Sequence, residues 1–202
     1  MLIIANFKQN FTEKEILNYF KKFKKSYVPK SKNKIVFCVS SIYLKIAKEI
    51  SSDLENVFIG AQGVSNFDKG SHTNQIGARQ LKDYVKYCLV GHTEERGILK
   101  QKEFISNLEN LKKVKVKSVY IVSNLKMLKQ HSFDYLAYEP VSSIGTGKLV
   151  EIKQLENFYN KVGSKFIYGG SVNISNVKQI SSLKYINGLL IGGGSLKPKD
   201  FA

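Results

Sequence analysis

A chain of 202 residues with 43% hydrophobic and 11% aromatic content has enough apolar material for one domain with a sizeable core and too much for disorder. Its longest apolar runs, such as Ile35-Val36-Phe37-Cys38-Val39, fall far short of a bilayer span, and the opening residues Met1 to Asn6 lack the pattern of a signal peptide, so a cytoplasmic protein with no membrane partner is expected. The net charge of +16 raises the question of nucleic acid, but of 32 basic residues only Arg79 and Arg96 are arginine, and a spread of lysines reads better as a solvated surface than as a base- or backbone-gripping patch.

In chain order, the first apolar run, Leu2–Asn6, reads as a strand. It is followed by a helical pattern from Glu13 to Lys25, with Ile16, Leu17, Phe20 and Phe23 on one face and Thr12 and Glu15 spaced as a capping box. Strands are predicted next at Lys34–Val39, Val57–Gln62 and Tyr87–Val90, and a helix after Lys100 with Phe104, Ile105, Leu108 and Leu111 at helical spacing. A strand at Ser118–Ser123 is separated from one at Tyr135–Tyr138 by so few residues that only a stub near Leu125–Lys129 fits. A helix over Glu151–Val162 and strands at Lys165–Tyr168 and Gly188–Ile191 complete the pattern, with little chain left before Ala202. The strand cores are continuous in Val, Ile, Phe and Tyr, as expected of parallel strands buried on both faces. Cys38 and Cys88 sit inside them, where they read as buried free thiols; no metal-ligand spacing is present and no metal or cofactor is expected.

Eight strands alternating with helices fit a parallel (β/α)8 barrel or a doubly wound open sheet. The barrel is favoured because polar and glycine-rich clusters follow strands around the whole chain, and a barrel brings those ends to one face. Such barrels usually take about 250 residues. The expectation is therefore one domain over residues 1–202, a compact barrel with a minimal fifth helix and a truncated eighth.

Four clusters carry chemistry. In Ala5-Asn6-Phe7-Lys8-Gln9-Asn10, Lys8 places a cation at the barrel mouth, although a lysine after a strand is commonly just solvated. In Gly91-His92-Thr93-Glu94-Glu95-Arg96, the histidine lies before a helical turn whose positive end disfavours the imidazolium, so His92 is either a neutral donor or simply a packed histidine. In Tyr138-Glu139-Pro140-Val141-Ser142-Ser143-Ile144-Gly145-Thr146-Gly147-Lys148, a carboxylate ends an apolar strand where burial is costly without a purpose, and Pro140, Gly145 and Gly147 frame a loop able to open and close. Finally, Gly169-Gly170-Ser171 and Gly192-Gly193-Gly194-Ser195 follow the seventh and eighth strands, the places where barrel enzymes bind phosphate through backbone amides.

These segments, in this order, resemble the signature segments of the triosephosphate isomerases across nearly the whole chain, and the resemblance implies a TIM barrel. It further implies interconversion of dihydroxyacetone phosphate and D-glyceraldehyde 3-phosphate, in glycolysis and gluconeogenesis, without a cofactor. Glu139 is implied as the base, His92 as the neutral donor to the carbonyl, and Lys8 with Asn6 as stabilisers of developing charge and binders of substrate. Glu94 is implied to order the network near Lys8, and Gly145, Ser171, Gly192 and Gly193 to bind the phosphate. The segment from Gly63 to Thr73 resembles the loop by which such subunits pair, implying a homodimer.

Several positions depart from that pattern. Ser142 replaces the usual tryptophan of the lid hinge, Glu95 an arginine, Gln101 a glutamate and Gly63 an asparagine, and Ser123-Asn124-Leu125 stands where a Cys-x-Gly-Glu pattern is usual. The changes at Glu95 and Gln101 read as compensating members of one ion pair. Two rivals remain on the sequence: another phosphate-binding barrel with different chemistry, and a lysine-rich binding or scaffolding protein.

Overall fold

Eight parallel strands, each hydrogen-bonded to the next in chain order, close on themselves in the computed structural model, which describes residues 1–29, 32–128, 132–143 and 149–202 and leaves the side chain of Gln101 outside the description. The strands are β1 (Leu2–Asn6), β2 (Lys34–Val39), β3 (Val57–Ala61), β4 (Tyr87–Val90), β5 (Lys117–Val122), β6 (Tyr135–Tyr138), β7 (Phe166–Tyr168) and β8 (Ile186–Ile191). The barrel closes where β1 pairs with β8, from Leu2 opposite Gly188 to Ala5 opposite Ile191. All eight predicted strands are present, shifted by at most two residues at their ends.

The alternation of side chains along each strand produces two cores. One fills the barrel: Leu2 and Ile4, Val36 and Cys38, Tyr87 and Leu89, Val119 and Ile121, Ala137, Ile167 and Leu190 form a single cluster of buried side chains. The other lies between the barrel and the helices and draws on the alternate residues, among them Ala5, Phe37, Val39, Ile59, Cys88 and Val90. The interior is full. A side chain at Gly60 would come within 2.7 Å of the Cys38 sulfur, and one at Gly188 within 2.5 Å of the Leu2 carbonyl oxygen.

The helices are α1 (Glu13–Ser26), α2 (Leu44–Ile50), α3 (Ala78–Leu81), α4 (Gln101–Lys113), α5 (Ile152–Val162), α6 (Val177–Ser181) and α7 (Pro198–Phe201). At the start of α1 the Glu15 carboxylate accepts both the Thr12 N–H (2.8 Å) and the Thr12 hydroxyl (2.7 Å), so the hydroxyl faces the glutamate side of the expected capping box. The α1 face buries Ile16, Tyr19, Phe20 and Phe23 on β1 and β2. Tyr19 meets Phe7 edge-on at 4.8 Å, Phe20 meets Phe37 at 4.9 Å, and Phe23 meets Phe37 at 5.0 Å. Each fully buried ring contributes about 2–3 kcal/mol by removal of apolar area from water.

Both economies expected of a short chain are seen. The described part of the connection from β5 to β6 holds a single 3-10 turn, Leu125–Met127. Asp134 takes up the slack, accepting the Ser118 N–H (2.9 Å) and hydroxyl (3.1 Å) across the strand pair, and the Tyr120 hydroxyl donates to the Met127 carbonyl. After β8 come a 3-10 turn, Gly193–Ser195, and the four-residue α7, whose Phe201 joins the α1 ring cluster 5.5 Å from Phe37. Beside it an apolar groove of about 500 Å³ runs over Ile3, Ile35, Leu189 and Ile191 on the outside of the barrel. No helix among the described residues is long and apolar enough to cross a membrane.

Candidate active site

The carboxyl ends of the strands converge on a cleft of about 430 Å³ lined by Asn6, Lys8, His92, Glu94, Glu139, Gly169, Ser171, Asn173 and Gly192 to Gly194. Residues up to 188 positions apart in sequence, Asn6 and Gly194, therefore face one small volume.

Lys8 stands one residue beyond Phe7, just past the end of β1, with left-handed backbone (φ +49°), a conformation that costs a non-glycine residue about 1 kcal/mol or more. Its surroundings impose it. The buried Asn6 side chain accepts the Lys8 N–H (3.1 Å), while Gln62 Nε2 (2.8 Å) and the Ser40 hydroxyl (3.2 Å) both donate to the Lys8 carbonyl. The ammonium is thereby aimed across the cleft, where it pairs with Glu94 Oε1 at 2.8 Å.

His92 is buried at the end of β4. It follows Gly91, whose φ of +75° needs glycine and whose missing side chain would press on the Ile121 carbonyl and the Tyr120 ring, each 3.2 Å away. The backbone N–H of Glu94 donates to His92 Nδ1 at 3.3 Å. With Nδ1 in that accepting role, a neutral imidazole carries its proton on Nε2; the Glu94 carboxylate also stands near, its Oε2 3.5 Å from Nδ1. Nε2 faces Glu139 Oε1 at 3.4 Å.

Glu139 follows β6 and is likewise buried; its own N–H continues the ladder to the Val122 carbonyl. Burial pushes its carboxyl pKa up, but the His92 ring, the Thr93 hydroxyl (2.9 Å to Oε2) and the Lys8 charge more than offset this and hold it below the usual glutamate range. The carboxylate is thus ionised at neutral pH, with both oxygens partnered.

The opposite wall is backbone. Ser171, also left-handed (φ +48°), donates its hydroxyl to the Ser143 carbonyl, and its own carbonyl accepts the side-chain amides of Asn173 (3.3 Å) and Asn176 (3.0 Å). The turn after β8 is tied down by Ser195, whose hydroxyl donates to the Gly192 carbonyl (2.7 Å) and whose carbonyl accepts the buried Tyr19 hydroxyl (2.7 Å). A side chain on Gly194 would sit 2.7 Å from the Val172 carbonyl, so the two glycine turns lie against each other. A Cβ on Gly192 would be 3.6 Å from Lys8 Cε, and among the described residues none beyond the chain neighbours comes within 4 Å of that position on Gly193.

A family model for triosephosphate isomerase matches residues 1–202. The chain belongs to the triosephosphate isomerase family. Similar proteins carrying that name include those of Mesomycoplasma hyopneumoniae strain 7448, 31% identical over an alignment covering 99% of this chain and 96% of the relative, and of Mesomycoplasma hyorhinis, 30% identical over 99% and 95%. That of Wolinella succinogenes is 28% identical over 100% and 97%. The first of these alignments spans 232 residues against a chain of 202, so the relative carries segments that this chain lacks.

Of the residues that the family resemblance singles out, Asn6, Lys8, His92, Glu94, Glu139, Ser171, Gly192 and Gly193 all line the one cleft. Gly145 and the rest of the lid from Ile144 to Lys148 lie outside the described residues, as does the end of the stub at Lys129. Sequence reasoning passed over Thr93, whose hydroxyl holds Glu139; its place beside His92 in the same strand-end cluster was the available signal. It also passed over Arg96, which donates to the Gly91 and Ile121 carbonyls at 2.9 and 3.0 Å and straps the His92 turn to β5. The Glu95 carboxylate accepts the His92 N–H at 3.3 Å and lies beside Gly63, where a Cβ would be 2.5 Å from Oε1; the side chain of Gln101 lies outside the described residues. Among the described residues no group of three or more His, Cys, Asp or Glu side chains is disposed to hold a metal ion.

Proposed function

We propose that the chain interconverts dihydroxyacetone phosphate and D-glyceraldehyde 3-phosphate by proton transfer through an enediolate, as one domain working in the cytoplasm within glycolysis and gluconeogenesis. The observation that carries this reading is the meeting of Lys8, His92 and Glu139, from β1, β4 and β6, opposite two glycine turns in one cleft.

The ionised Glu139 removes a proton from the carbon next to the substrate carbonyl. The C–H electrons form the carbon–carbon double bond, and the carbonyl electrons move onto its oxygen. The Lys8 ammonium and the His92 Nε2–H stabilise that oxyanion. Exchange of protons between the two oxygens through His92, then return of the proton from Glu139 to the neighbouring carbon, gives the other sugar. A neutral imidazole suits this work because its pKa lies closer to that of the enediol than an imidazolium's does; the family's neutral histidine is a standard example of the principle. In the described arrangement Glu139 occupies the His92 donor, so substrate entry requires the carboxylate to swing away and leave Nε2–H for the carbonyl oxygen. Ser171, Gly192 and Gly193, with Gly145 of the lid, bind the phosphate through backbone N–H groups. The positive charge of the whole chain draws the dianion in.

The loop from Gly63 to Thr73 is read as the pairing surface of a homodimer. It presents Phe67, 42% exposed and stacked on His72 at 3.6 Å, next to the exposed Thr73. Sedimentation velocity is expected to give a dimer, converted toward monomer by Phe67→Lys; a monomeric wild type removes this part of the proposal.

The catalytic reading is tested by coupled assay of both directions. A fast wild type and a loss of about a hundredfold or more in Glu139→Asp are expected, because shortening the base withdraws it by about 1 Å. A wild type no faster than buffer refutes the reading.

A further inference from the structure

The short turn after β4 is closed by His92 in an unusual way. At the start of a helical turn, a capping side chain normally accepts a backbone N–H from within the turn, and a glutamate three residues on accepts the cap's own N–H. Here the imidazole is the cap: Nδ1 accepts the Glu94 N–H at 3.3 Å. Three residues on, Glu95 returns the contact, its Oε2 accepting the His92 N–H at 3.3 Å while its own N–H donates to the His92 carbonyl at 2.9 Å. Glu95 therefore grips both sides of the His92 backbone.

The carboxylate sits where it does because nothing stands at position 63. A Cβ on Gly63 would be 2.5 Å from Glu95 Oε1, closer than real Cβ contacts come. The placement is costly. Burial pushes the Glu95 carboxyl up, and the His92 amide and ring, the Gly91 amide and the Arg96 charge only partly offset it. A half-buried carboxylate with an elevated pKa, in a space kept open by a glycine and spent on one backbone amide, calls for a use at that amide.

We infer that Glu95 is a positioning residue for the isomerisation proposed above: it completes a reciprocal cap around His92 that keeps Nδ1 an acceptor and the proton on Nε2, facing the reacting oxygen, with Gly63 as the space that admits it. Losing the Glu95 acceptor loosens the turn, frees Nδ1 from the Glu94 amide, and lets the ring populate the wrong tautomer. The effect falls on the chemical step and leaves the phosphate wall intact.

Three readouts test this. In Glu95→Leu, which keeps the bulk and removes the acceptor, kcat is expected to fall about tenfold or more with KM changed less than about twofold. Glu95→Gln, which keeps an oxygen in place, is expected to retain activity within about threefold. In protein labelled with ¹⁵N-histidine, with His92 assigned by comparison with His92→Gln, the wild type is expected to show an acceptor Nδ1 and a protonated Nε2, and Glu95→Leu a mixed signal. Because the spectrum needs no turnover, an inactive wild type would refute the isomerase reading while this inference is still decided. Should Glu95→Leu fail to fold, Gly63→Ala displaces the carboxylate from the other side. It is expected to reproduce the spectral change in the wild-type background and to do nothing further in Glu95→Ala. An unchanged His92 spectrum and a kcat within twofold in Glu95→Leu, or a Gly63→Ala effect equal in both backgrounds, overturns the inference.

Discussion

The two walls of the cleft are built on different terms. On the β4 and β6 side the working groups are side chains: His92 and Glu139 are buried and each is held by named neighbours, Nδ1 by the Glu94 amide and Oε2 by the Thr93 hydroxyl. On the β7 and β8 side the lining is glycine-rich backbone, and its shape is held from a distance, through Tyr19 on α1 and the carbonyl contacts of Ser171 and Ser195. The first wall suits groups whose protonation must be set; the second suits an anion that needs many amides and no side chain in the way. Damage to the first should therefore appear in kcat, and damage to the second in KM.

The largest separation is expected from His92→Gln, which removes the Nε2–H donor: kcat falls by about a hundredfold or more and KM moves little. A rise in KM of the same size in steady-state assays would erase the distinction between the walls. Next in size, Gly194→Ala drives a Cβ to 2.7 Å from the Val172 carbonyl and must separate the two glycine turns; KM for the triose phosphates is expected to rise about tenfold with kcat within severalfold. Inorganic phosphate, titrated as a competitive inhibitor, should weaken in parallel.

Smaller again is Tyr19→Phe. The ring stays in its aromatic cluster and only the 2.7 Å bond to the Ser195 carbonyl is lost, leaving a buried acceptor unpaired. Unfolding by urea should lose about 1–2 kcal/mol, and KM should rise about threefold. A KM unchanged beside that loss of stability would mean that Tyr19 supports the fold and not the phosphate wall.

The smallest effect tests the electrostatics of the first wall. Glu95 faces His92 and Arg96, with the Cys88 thiol nearby, and its pKa is raised on folding chiefly by burial. A raised carboxyl pKa favours the protonated form in the native state, so its contribution to stability is fully present at acid pH and is lost as pH rises through the folded value. Glu95→Gln carries no such charge. Its gain in Tm over wild type is therefore expected to be greater at pH 8 than at pH 4, and equal gains by calorimetry would show that the buried charge costs nothing.

The same contrast governs what could be read in advance. Barrel strands buried on both faces leave continuous runs such as Ile35 to Val39, and all eight were legible because no solvent-facing alternation interrupts them. The side chains of the first wall stood out as polar residues at apolar strand ends, His92 after Val90-Gly91 and Glu139 after Tyr138. The glycine turns were legible as positions, but their supports were not. Tyr19 lies on α1, 176 residues from the Ser195 carbonyl it holds, and on the helix it reads only as one more apolar ring. Glu95 is hard to read for the same reason: folding brings its carboxylate beside Gly63, a residue 32 positions away whose part is to have no side chain, while the side chain of Gln101 lies outside the described residues.

The central claim is that Glu139 carries a proton to and from carbon while Lys8 and His92 hold the oxygens. Incubating dihydroxyacetone phosphate with the protein in D₂O and following its C1 position by ¹H NMR tests that directly. The account predicts loss of one C1 proton signal to deuterium with the wild type and none above the buffer rate with Glu139→Gln. Exchange that continues undiminished in Glu139→Gln, or a wild type that leaves both C1 protons in place, would contradict it.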